Sequence, residues 1–294
     1  MTESATTSAQ GPRFVPCASG VSAELDLALS RVTAAPGWDA LPPLAEGRRA
    51  SVSLLTCGET TLAVKRYTDR RGFLLRTFLR SSRAQREAKA MLLVAEAWPE
   101  NPVRVVGWAA RRVLGFVPQC WIATTYFGGS FDLRRLRTME PAERAATFAL
   151  LVQRLPGVLA RVHAHGVFAR SLRGKNVLLN PSTEQVALID LPYAVRCARV
   201  SVRQRAYDLA SLWTELRHTI DEATWAAFLE RYLGQAGLAP EEAAELTPAA
   251  LALVSARLQH KTPLASWSSR GKRWFRHTRL GQLITGFRYP KRTG

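Results

Sequence analysis

The hydrophobic pattern of the chain changes period several times, and each change marks an element. Ala50-Ser51-Val52-Ser53-Leu54-Leu55 and Thr60-Thr61-Leu62-Ala63-Val64 flank a turn at Cys57-Gly58-Glu59, which predicts a hairpin whose second strand closes on Lys65. From about Ser82 to Trp98, the residues Ala84, Ala88, Met91, Ala95 and Trp98 recur at helical spacing, with Glu87 beside the stripe. Further strands are predicted over 103–108 and 120–124, ahead of a flexible joint at Gly128-Gly129-Ser130. The second half reads as helical. Pro141 suits a first helical turn, and Phe148, Leu151, Val152, Leu155, Leu159 and Val162 form one apolar stripe up to Gly166, with a kink expected at Pro156. Val177-Leu178-Leu179 and Val186-Ala187-Leu188-Ile189 predict a small buried hairpin, and helices follow over about 203–217, 222–234 and 248–258. No internal repeat is visible. A strand-rich part with one helix therefore precedes a helix-rich part with one hairpin, an α+β arrangement in two lobes.

Composition narrows the class. The 294 residues are 47 % apolar and 22 % charged, ordinary values that exclude fibrous and wholly disordered chains. No apolar run approaches the roughly 20 residues of a spanning helix. The opening MTESATTSAQGPRF lacks the apolar core of a secretory signal, and residues 1–43 are expected to be a leader, partly disordered. Cys17, Cys57, Cys120 and Cys197 are scattered, without spacing for zinc or a disulfide framework. A reducing, cytoplasmic setting fits.

Charge is the departure. Forty-one Lys and Arg against 23 Asp and Glu give +18 and a pI near 10.9, which calls for a polyanionic partner: nucleic acid, an anionic membrane face or a phosphorylated substrate. One basic block runs from Lys65 to Lys89. After Glu245 no acidic residue appears, while basic residues alternate with Trp267, Trp274, Phe275, Phe287 and Tyr289. That mixture suits a headgroup region, so the tail 261–294 is expected to dock on an anionic membrane surface. Nucleic acid is the weaker option, since no recognised nucleic-acid motif is present.

Four polar residues stand at special places: Lys65 at a strand end, Glu87 on the next helix, Asn176 before the second hairpin and Asp190 after it. This order resembles protein kinases, in which a strand Lys meets the α/β-phosphates, a helix Glu pairs with it, and a loop Asn and an Asp hold magnesium. The chemistry needs these types, because polyphosphate demands a rigidly held cation and magnesium takes oxygen ligands. The chain is more closely similar to the lipopolysaccharide core kinases, the heptose and Kdo kinase family with its InaA-type relatives. Gly47-Arg48-Arg49-Ala50-Ser51-Val52, Val64-Lys65-Arg66-Tyr67, Ser82-Arg83-Ala84-Gln85-Arg86-Glu87, Val162-His163-Ala164-His165-Gly166-Val167 and Tyr207-Asp208-Leu209-Ala210 carry the likeness, over residues 44 to 235.

That resemblance implies a bilobal protein-kinase-like fold, with a small β-rich N-lobe at 44–126 and a larger helical C-lobe at 127–260. It implies ATP bound by Lys65 and Glu87, magnesium held by Asn176 and Asp190, and phosphoryl transfer to a sugar hydroxyl of lipopolysaccharide core or another anionic glycolipid. The setting would be cytoplasmic, peripheral on the inner membrane. His163 becomes a packed helix-end residue and Asp208 a tether of the catalytic loop. The chain departs from the pattern at the residue five before Asn176. There the family carries an Asp base and this chain carries Ser171, while Ala169 replaces the usual His and Leu191-Pro192 follows the metal Asp. A pseudokinase, binding nucleotide or lipid without turnover, is the alternative, and a basic nucleic-acid-binding protein the third reading.

Overall fold

A computed structural model of the chain describes residues 12–17, 23–33, 37–47, 50–68, 77–170 and 172–259. The expectations for Ser171 and for the basic tail 261–294 lie outside the described residues. Two compact units are present. The first runs up to Ala88 and takes in Val105–Tyr126; the second holds Lys89–Arg104 and the chain from Phe127.

The first unit is an antiparallel sheet in the order β1-β5-β6-β4-β3-β2, built from β1 (Val15–Pro16), β2 (Pro43–Glu46), β3 (Ala50–Cys57), β4 (Thr60–Thr68), β5 (Val105–Val113) and β6 (Phe116–Thr125). The expected hairpin is β3–β4, but β4 continues to Thr68, so Lys65 lies within the strand, opposite Val52 and Ile122. The β4–β6 register runs from Leu62 opposite Thr125 to Thr68 opposite Gln119. Inside the stretch expected to be leader, Ala23–Thr33 forms a helix, α1. Its Leu29 and Val32 share a buried cluster with Phe14, Leu62, Val64 and Trp121. Burying such a side chain is worth about 1.5–3 kcal/mol, so this segment is part of the core.

Helix α2 (Arg83–Ala97) starts in the first unit, and its residues from Lys89 count with the second. The second unit adds β7 (Phe131–Asp132), α3 (Pro141–Ala164), β8 (Val167–Phe168), β9 (Val177–Asn180), β10 (Gln185–Leu188), β11 (Val195–Arg196), α4 (Val202–Leu216), α5 (Glu222–Gln235) and α6 (Pro240–Gln259). Strands β10, β9 and β7 form one small sheet, and β11 pairs β8. Helix α3 runs unbroken through Pro156. By length and composition alone it would cross a membrane, contrary to the expectation that no such segment exists. Its Leu151, Leu155, Leu159 and Val162 are nevertheless buried in the core of the unit, among Leu179, Leu209 and Phe228. The chain leaves α3 through Gly166 at φ +76°, where a Cβ would lie 2.3 Å from the Cys197 carbonyl oxygen. Only glycine permits the β8–β11 pairing that follows.

A β-rich N-terminal unit thus precedes a helical one, as the α+β reading expects. Strands β1, β2, β7, β8 and β11 are not predicted by the sequence pattern.

Candidate functional site

In the first unit the site begins with strand periodicity. Lys65 and Tyr67 stand two apart on β4 and so present their side chains on the same face. Helix α2 is capped by Ser82, whose hydroxyl accepts the Gln85 N–H at 3.0 Å, and this start sets Glu87 on the second turn. The Lys65 ammonium lies 3.2 Å from Glu87 Oε1, and the Tyr67 hydroxyl donates a short hydrogen bond to Glu87 Oε2. Glu87 is only 4 % exposed, so a charge there requires such partners. The Tyr67 ring carries cations on it: Lys65 Nζ lies 4.9 Å and the Arg83 guanidinium 4.5 Å from its centroid. Tyr67 had gone unnoticed as a site residue, although its i, i+2 relation to Lys65 was a usable signal. The arrangement holds a cation rigidly by a buried carboxylate, which is what binding a polyphosphate requires.

In the second unit Asn176 closes a single 3-10 turn, Gly174–Asn176, that leads into β9. The turn is pinned by the Gly174 N–H donating to Glu215 Oε2 at 2.8 Å. Asn176 is 2 % exposed; its amide Nδ2 donates a short bond to the Asp190 carbonyl, and its backbone carbonyl accepts the Ile189 N–H at 2.9 Å. Its Oδ1 is buried without a hydrogen-bond partner among the described residues. Asp190 sits at φ +49°, a left-handed conformation that costs a non-glycine residue about 1–2 kcal/mol. Its Oδ2 lies 3.6 Å from Lys175 Nζ. The amide oxygen of Asn176 and the Asp190 carboxylate are hard oxygen donors, and a buried oxygen lacking a hydrogen fits a magnesium ion. Among the described residues no cluster of three His, Cys, Asp or Glu side chains exists.

A third constellation holds the segment before Ser171. The Ala169 N–H donates to Asp208 Oδ2 at 2.9 Å, and His163 Nε2 lies 3.4 Å from the same oxygen. His163 Nδ1 is 2.7 Å from the Tyr232 hydroxyl, which accepts from Arg205 at 3.0 Å. With Arg205 donating, the tyrosine proton goes to Nδ1, and Nε2 therefore carries the hydrogen facing Asp208. Burial is the main cause that pushes the Tyr232 phenol up to about 12. Arg170, next in the chain, sits at φ +59°. Sequence reading reached His163 and Asp208 here but missed Arg205 and Tyr232.

Asp132, on β7, caps the 3-10 turn Leu133–Arg137 by accepting the Arg134 N–H at 2.9 Å, and it also pairs with the Arg134 guanidinium at 2.6 Å. Burial resists its ionisation, but these bonds together with the nearby Lys175 charge hold its carboxyl below the usual range.

No protein-family model and no curated protein matches the chain. Among solved structures, WaaP in complex with acyl carrier protein is similar, with a TM-score of 0.53 at 18 % identity, over 75 % of this chain and 89 % of that one. The chain therefore has the kinase-like fold of that protein, with a β-sheet N-terminal region and a helical C-terminal region. The fold is widely shared, with 1554 similar chains of known structure, and such a fold does not by itself define a reaction.

Proposed function

We propose that the protein is a kinase-like, ATP-binding phosphotransferase whose acceptor is a sugar hydroxyl on lipopolysaccharide core or another anionic glycolipid. The observation that carries the nucleotide half is the Lys65–Glu87–Tyr67 cluster, a cation fixed by a buried carboxylate on the strand where phosphates are met in kinases. In this reading Lys65 binds the phosphates and Glu87 keeps it aimed. Asn176 and Asp190 hold magnesium, which when bound offsets charge on the transferring phosphoryl group. Phosphoryl transfer rests chiefly on positioning and charge stabilisation, so Ser171 in place of a carboxylate slows the reaction without abolishing it. The charge of +18 supports an anionic acceptor at the cytoplasmic face of the inner membrane, with the tail 261–294 contributing attraction.

A second reading, a pseudokinase, is favoured by Ser171 and by the Lys175–Asp190 ion pair, which sets a resident cation beside the metal carboxylate. Calorimetry with ATP, with and without magnesium, followed by turnover measurement, separates the two. Magnesium-dependent binding that weakens in Lys65→Ala and Asp190→Ala is expected. Ser171→Asp should raise turnover by up to about 10²–10⁴-fold, the usual worth of general-base assistance. Binding without turnover in both proteins selects the pseudokinase, and a folded wild type that binds no ATP ends the phosphotransferase reading and leaves only a lipid-binding pseudokinase.

A further inference from the structure

The β5–β6 turn of the first unit bears a feature that nucleotide chemistry does not use. Leu114, at the turn, is 88 % exposed, and Leu79, on the segment packed beside it, is 76 % exposed. Both stand at positive φ, 49° and 51°. Phe78 and Val113 flank them, each about half exposed. These side chains share one built tip. The Leu79 N–H donates to the Gly115 carbonyl at 3.0 Å, the Val117 N–H to the Thr77 hydroxyl at 2.9 Å, and the Arg112 guanidinium to the Arg80 carbonyl at 3.0 Å. The Phe78 and Phe116 rings meet at 4.9 Å beneath it. A lone exposed leucine requires no explanation, but four adjoining apolar side chains held out by a hydrogen-bonded loop do.

The charge around the tip has one sign. Arg80, Arg111 and Arg112 are exposed, and the sequence contains no acidic residue from 70 to 86 or from 105 to 131. We propose that this tip is a membrane-docking device: Leu79 and Leu114 enter the headgroup–acyl boundary of an anionic bilayer while the three arginines meet lipid phosphates. The tip exposes aliphatic side chains beside charge of one sign, the pairing that an anionic headgroup–acyl boundary complements. Apolar insertion and electrostatic attraction add in such interfaces. The proposal rests on residues 78–80 and 111–114 alone and does not depend on the kinase-like reading.

The test is co-sedimentation of the full chain with phosphatidylcholine vesicles and with vesicles carrying phosphatidylglycerol. Leu79→Asn with Leu114→Asn is the probe, because asparagine tolerates positive φ and the fold is spared. Anionic-vesicle binding should fall at least about tenfold, since each leucine brings apolar area out of water. Arg111→Gln should lose up to about fivefold. Leu114→Trp should keep or strengthen binding, an aromatic ring being at home in that layer. Unchanged binding in the double variant overturns the proposal and assigns attachment to another surface. Wild type that ignores anionic vesicles, or that is retained only by an acidic protein, overturns it as well.

Discussion

Asp208 is fully buried on α4, with one oxygen facing two donors, and its replacement should report how firmly the segment at Ala169 is held. Asp208→Ala removes the acceptor and leaves the buried Ala169 N–H unsatisfied. An unsatisfied buried donor costs about 1–3 kcal/mol, and a lost bond to a charged group about 1.5–3 kcal/mol. Against this runs the cost of burying the carboxylate, whose Oδ1 has no hydrogen-bond partner among the described residues. The balance is a loss of about 3 kcal/mol, the low end for breaking a buried pair. Asp208→Asn keeps an oxygen for Ala169 and sheds only the charge, so about 1 kcal/mol is expected. For a unit of this size each kcal/mol moves Tm by about 2–4 °C, giving a fall of about 6–12 °C for the alanine variant and about 2–4 °C for asparagine. Circular-dichroism melts of the three proteins measure this, and hydrogen exchange at the Ala169 amide reads the local effect. Equal melting of the two variants, or unaltered exchange at Ala169 in Asp208→Ala, would refute the reasoning.

Tyr67→Phe should cost about 1.5–3 kcal/mol in unfolding free energy, the worth of a hydrogen bond to a charged group, and should weaken ATP binding by freeing Glu87; an unchanged denaturation midpoint would remove the hydroxyl from this account. Lys175→Met removes the cation beside Asp190, so manganese titrated into the protein should bind about three- to tenfold tighter than to wild type. Identical isotherms would show that Lys175 does not compete for that carboxylate. Tyr232 is held neutral in the folded protein up to about 12, mainly by burial, whereas an unfolded tyrosine ionises near 10. Its contribution is therefore fully present below pH ~10 and lost as pH rises through about 12. Melting temperatures between pH 9 and 12 should fall more steeply for wild type than for Tyr232→Phe, and parallel slopes would count against this.

Much of the fold was written locally. The β3–β4 hairpin and α2 follow from spacing and from the Ser82 cap, and α4 and α5 lie within a residue of where periodicity puts them. Lys65 and Glu87 were expected to pair because of their order, and the structure brings them together at 3.2 Å. What escaped was non-local. The two-residue strands β8 and β11 exist only because Gly166 lets two distant segments meet, and no window of sequence contains that fact. Tyr232 reaches His163 across 69 positions, which neither pattern nor charge announces. Helix α1 is a different case, since Leu25, Leu29 and Val32 already stood at helical spacing. The Ser, Thr and Ala content of the flanking residues masked it.

Asn176 spends its two ends differently: the amide nitrogen is committed to the Asp190 carbonyl, and the oxygen is kept back. Aspartate has the same shape and would suit a cation better on charge alone. It has no hydrogen to offer the carbonyl, and an anion would then press on a carbonyl oxygen at a backbone already held at φ +49°. Glutamine has the right chemistry and the wrong reach. Position 176 therefore distinguishes isosteres by the polarity of one bond, and its two nearest substitutes fail for different reasons, aspartate by charge and glutamine by length.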